Sequence, residues 1–93
     1  MVAFDAERPW RLGRQVALRP EPFGALAYHF GTRRLSFLKS PALVGLVESL
    51  ERHDSAREAV AAAGVSDCEV PVYEKALARL ADTGMIERRG AAA

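Results

Sequence analysis

The period of the apolar positions changes partway along the chain. In "QVALR", Val16 and Leu18 alternate with Gln15, Ala17 and Arg19, and "PEPFG" then turns the chain with two prolines and a glycine. "GALAYHF" repeats the period of two, with Leu26, Tyr28 and Phe30 on one face and Ala25, Ala27 and His29 on the other. Gly31 in "GTRR" is expected to take positive φ in a tight hairpin that returns into "LSFLK", with the larger residues Leu35 and Phe37 facing the core. Three strands in this order predict an antiparallel meander.

After Ser40 the period lengthens. Ser40 can cap free amides, and Pro41 loses no hydrogen bond at a first helical position, so a helix is expected from there to about Arg52. Its stripe is Leu43, Leu46, Val47 and Leu50, with Glu48, Glu51 and Arg52 outward. Ser55 and Glu58 have capping-box spacing for a short second helix ending at Gly64. A third helix begins near Val70 or Pro71, carries Tyr73, Ala76, Leu77 and Leu80 inward and closes at Gly84, before a brief extended "MIERR". This order predicts an α+β fold like a winged helix-turn-helix with an N-terminal three-stranded antiparallel sheet, three helices and a short C-terminal extended segment. Residues 1–14 read as an N-terminal arm that packs through Trp10, 15–89 as one recognition domain and 90–93 as a flexible tail.

Composition narrows the function classes. At 93 residues, 49% of them hydrophobic, the chain is sized for a single core. Thirteen basic and twelve acidic residues leave a formal charge of +1, which disfavours a dedicated nucleic-acid binder. The single cysteine, Cys68, excludes an internal disulfide, and the lack of a signal-peptide pattern or a long apolar run predicts a cytoplasmic protein. His29, His53, Cys68 and the scattered carboxylates form no metal-ligand or nucleophile constellation, and no glycine-rich phosphate loop is present. No enzyme activity and no metal or cofactor of its own is expected, so function should reside on a surface.

"RRLSFLKSP" is the stretch that suggests which surface. The strand at 35–38 ends the meander, and an open edge there offers unpaired amides and carbonyls to an extended peptide. Arg33, Arg34 and Lys39 either discourage aggregation at that edge or attract an acidic partner. The outward row Val72, Lys75, Arg79 and Thr83 of the third helix could form the opposite wall of a groove.

Taken together, "VALRPEPFGALAYHFGTRRLSFLKSPALVGLVESL", "SAREAVAAAGV" and "YEKALARLADTGMIERR" resemble the PqqD-like peptide chaperones, and within them the branch of the mycofactocin systems. These are recognition elements for ribosomally made, post-translationally modified peptides. The resemblance covers Arg14 to Arg89, and the "RPEPFGAL" turn with "RRLSFL" is its more specific part. It implies a non-catalytic module that binds the leader of a precursor peptide by strand addition and delivers it to a radical S-adenosylmethionine enzyme. Iron–sulfur clusters and S-adenosylmethionine would then belong to that enzyme. Carried onto this sequence, the peptide-binding residues are Arg34, Leu35, Ser36, Phe37 and Leu38 on the strand and Lys75, Ala76 and Arg79 on the helix.

Two alternatives belong to other classes. In a DNA-binding winged helix, Glu74, Lys75, Ala78, Arg79 and Asp82 would face the major groove, where the two carboxylates would meet phosphates unfavourably. A purely structural subunit of an enzyme complex would differ from a peptide chaperone in not binding a leader on its own.

Overall fold

The structure, a computed structural model, describes residues 4–89; the tail expected at 90–93 lies outside the described residues. The elements in order are β1 (Trp10–Leu12), β2 (Val16–Glu21), β3 (Gly24–His29), β4 (Leu35–Leu38), α1 (Pro41–Ser49), α2 (Ala56–Ala62), α3 (Val70–Asp82) and β5 (Ile86–Arg88). A 3-10 turn, Leu50–Arg52, extends α1. The fold is α+β, with β2, β3 and β4 forming the expected antiparallel meander.

Beyond the meander, β1 pairs antiparallel with β5, Trp10 opposite Arg88 and Leu12 opposite Ile86, so the two ends of the described chain form a second, two-stranded sheet. Trp10 is buried; its ring lies 5.2 Å from that of Phe4 and its indole Nε1–H donates to the Asp5 carbonyl at 2.8 Å. This satisfies the one polar group of a large side chain in the core. A three-residue strand is too short to show a period in sequence, which is why Trp10–Leu12 reads there as irregular.

The caps form as their chemistry predicts. The Ser40 hydroxyl accepts the Leu43 amide at 3.1 Å, with Pro41 opening α1. The Ser55 hydroxyl accepts the Glu58 amide at 3.1 Å and opens α2. Each satisfies a backbone donor that helix geometry leaves free.

The sheet presents its faces the other way round from the expectation. Ala25, Ala27 and Leu38 are buried among Leu46, Val47, Leu50, Leu77 and Leu80, whereas Phe30, Leu35 and Phe37 are more than half exposed. The alternation was right and the choice of inner face was wrong. Size points to the larger side chains as the core face, but the inner face carries the helices, and alanines on it let them lie close to β3. Val16 and Leu18 do face inward, beside His29 and Ala27.

The hairpin between β3 and β4 also differs in detail. Arg33, not Gly31, takes the left-handed conformation, at φ 61°. The Arg33 amide donates to the His29 carbonyl at 2.7 Å and the His29 amide to the Arg34 carbonyl at 2.9 Å, the pattern of a turn closed by a bulge. His29 has a structural role here: its Nδ1 accepts the amides of Gly31 and Thr32 at 3.0 and 3.1 Å.

Candidate functional site

The register of the meander determines which backbone groups of β4 are free. Ala25 pairs with Leu38, Leu26 with Phe37, Ala27 with Ser36 and Tyr28 with Leu35. In an antiparallel ladder, hydrogen-bonded and non-hydrogen-bonded pairs alternate. The His29 amide bonds to the Arg34 carbonyl, so the next pair, Tyr28 with Leu35, is of the non-bonded kind, and so is Leu26 with Phe37. The N–H and C=O groups of Leu35 and Phe37 therefore point away from β3. Because β4 ends the sheet order β2-β3-β4, they point to an open edge.

That edge borders a groove. A cavity of about 420 Å³ is lined by Ser36, Phe37, Leu38 and Lys39 on one side, Leu43 at its base, and Ala76, Arg79, Leu80 and Thr83 of α3 on the other. It continues past Lys39, Leu43 and Ala76 into a depression bordered by Glu69, Val72 and Tyr73. The groove thus has an apolar floor and two long basic side chains at its rim. Glu69 is the acid at its far end, and its carboxylate is engaged by the amide and hydroxyl of Ser66.

Of the strand residues singled out in the sequence, Ser36, Phe37 and Leu38 line the groove. Arg34 and Leu35 do not; both are exposed, Arg34 just ahead of β4 and Leu35 on the outer face. On α3, Ala76 and Arg79 line the groove and Lys75, although exposed, is not among the lining residues. Of the helix row proposed as a wall, Arg79 and Thr83 line the main groove and Val72 its extension. Leu43, Leu80 and Lys39 also line the groove and carry no sequence signal that marks them for it. Leu43 and Leu80 sit at helical core spacing, and only the placement of α1 and α3 beside β4 brings them to the groove.

Charge around the groove is basic. Among the described residues, Arg33, Arg34, Lys39 and Arg79 have no carboxylate within 4.0 Å, whereas Arg57 is tied to Glu7 and, at 3.7 Å, to Glu74. The Glu74–Arg57 pair also separates Glu74 from Arg79: the former is engaged toward α2, the latter opens on the groove.

Among the described residues no group of three or more His, Cys, Asp or Glu side chains could hold a metal ion. Cys68 is exposed with its Sγ 3.3 Å from the Ser66 hydroxyl, and no helix among the described residues is long and apolar enough to cross a membrane. What the site offers is a strand edge, an apolar trough and a basic rim.

Residues 9–87 match the family model of the peptide chaperone MftB family. A protein of Mycobacterium ulcerans named peptide chaperone MftB is 56% identical over 84 residues, covering 90% of this chain and 77% of its own. Proteins of the same name from Mycolicibacterium smegmatis and Mycobacterium tuberculosis are 53% and 51% identical, covering 91% and 92% of this chain and 83% and 79% of theirs. The name common to these relatives is that of a chaperone, a non-catalytic role. No solved structure matches the chain.

Proposed function

The chain belongs to the peptide chaperone MftB family, and from that premise we propose that it holds the leader of a ribosomally made precursor peptide as an added strand on β4. In this reading it presents the peptide to a radical S-adenosylmethionine enzyme that begins mycofactocin biosynthesis in the cytoplasm. The chain itself supplies no cofactor. Its work is capture and orientation.

The observation that carries the proposal is the pairing of the open β4 edge with the α3 groove. A guest strand accepts and donates hydrogen bonds at Leu35 and Phe37, four backbone bonds in all if both residues are fully paired. At roughly 0.5–1.5 kcal/mol net per bond, these fix the path of the guest and leave much of the selectivity to side chains. Side chains on the guest's inner face enter the trough between Leu38, Leu43, Ala76 and Leu80. Acidic side chains meet Lys39 and Arg79 at the rim, with Arg34 ahead of the strand, and in water these contacts add encounter rate and orientation more than affinity.

Titrating the isolated protein with a synthetic leader of the precursor peptide tests this reading. Saturable one-to-one binding is expected, weakened by salt. A folded protein that fails to bind the leader would instead support a purely structural role in the complex.

A further inference from the structure

We infer that the cleft between Phe23 and Phe37, on the outer face of the sheet, takes an apolar side chain of the guest strand, so that the guest is gripped on both faces. The inference rests on the strand-addition reading above. It adds a subsite on the face opposite the α3 groove and involves a residue, Phe23, that lies outside that groove.

The outer cleft has a volume of about 440 Å³ and is lined by Phe23, Phe37 and Lys39. The two rings meet edge to face with centroids 5.8 Å apart, yet Phe23 and Phe37 remain 40% and 60% exposed. Phe37 and Lys39 also line the groove, so the outer cleft is continuous with it around the β4 edge. Two aromatic rings held against each other and left in water form a surface that gains by being covered.

Strand geometry specifies what covers it. In a guest running antiparallel to β4, the residue that exchanges hydrogen bonds with the Phe37 backbone stands directly opposite Phe37, and its side chain projects to the same face, with Cβ atoms about 5 Å apart. That face is the outer one. The neighbouring guest residue projects to the other face and into the groove. The residue beyond that returns to the outer face at the level of Lys39, which follows the last residue of β4 and lines the outer cleft. Aromatic walls with no hydrogen-bonding group call for an apolar guest residue at Phe37, and the ammonium group calls for a carboxylate at Lys39. For a guest running antiparallel to β4, the outer face therefore reads, from N to C, acidic, any residue, apolar.

The test uses the full chain and a synthetic leader of the precursor peptide. In the complex, nuclear Overhauser contacts should connect the Phe23 and Phe37 ring protons to one aliphatic or aromatic side chain of the peptide. Phe23→Ala should bind about fivefold more weakly. Replacing the contacting peptide residue with alanine should cost a similar factor, and the two changes together should cost little more than either alone. If the leader binds and shifts the Leu35 and Phe37 amides, but shows no ring contacts and binds Phe23→Ala equally well, the outer subsite is wrong and strand addition stands. Failure of the wild-type chain to bind would overturn both. Should Phe23→Ala not fold, the ring contacts in the wild-type complex decide alone.

Discussion

Phe37 stands opposite Leu26 in the β3–β4 ladder, and both side chains lie on the face of the sheet turned away from the helices. One residue further, Leu38 pairs with Ala25 and both are buried at 1% exposure. Adjacent residues of one strand thus have opposite duties. Leu38 holds the sheet to the helices, while Phe37 offers a backbone edge and an exposed ring.

Substituting each residue separates these duties. Leu38→Ala should cost about 2–5 kcal/mol, because a buried leucine leaves a cavity that the surrounding residues fill only partly. Phe37→Ala should cost only about 1 kcal/mol, the loss of its contact with Phe23 and of a strand-favouring side chain, and should weaken leader binding. Chemical denaturation of the two variants beside the parent checks this. A large loss in Phe37→Ala with little in Leu38→Ala would mean the register is shifted by one residue.

The turn between β2 and β3 makes a second, independent demand. Gly24 has φ +148°, and a Cβ there would stand 2.2 Å from the Leu38 carbonyl oxygen. Gly24→Ala must therefore displace backbone at the end of β4, and we expect a loss of at least about 2 kcal/mol together with weaker leader binding. Thermal unfolding and a titration of the same sample check both effects. A stable variant with unaltered binding would show that the turn does not constrain the edge.

At the groove rim, Arg79 is exposed and unpaired among the described residues. Arg79→Glu should leave the melting temperature near that of the parent and should weaken an acidic leader most at low salt, the difference shrinking as the Debye length falls below the charge separation. Titrations at two ionic strengths measure it. Equal affinities at low salt would remove Arg79 from the site.

Trp10 ties the second sheet to the core. Trp10→Ala removes a large buried side chain and the indole bond to Asp5, so about 3–5 kcal/mol should be lost, read by denaturant unfolding. The effect on the leader should follow only from that lost stability, since Trp10 does not line the groove.

Much of this arrangement was legible in the sequence because its signals are local. Ser40-Pro41, Ser55 with Glu58, and the alternation in "GALAYHF" and "LSFLK" depend on neighbours a few residues away, and each formed the element they imply. The inner face of the sheet was not legible, since alternation separates Leu26 from Ala27 but does not say which is covered. Size favoured the leucine; the helices lie on the alanine side. The left-handed position at Arg33 was hidden because glycine two residues earlier is the more permissive candidate, and the bulge that places it depends on the pairing across the hairpin. The groove was half legible. Ser36, Phe37, Leu38, Ala76 and Arg79 come together in it, whereas Leu43, Leu80 and Lys39 join them only through the tertiary placement of the helices beside β4.

The most direct measurement is amide hydrogen exchange, residue by residue, on the isolated chain with and without saturating synthetic leader. Ser36 and Leu38 bond to β3 and should be protected in both samples, while Leu35 and Phe37 should exchange freely alone and become protected with the leader. Leader binding that leaves Leu35 and Phe37 exchanging as fast as before would contradict strand addition at this edge, whatever the affinity.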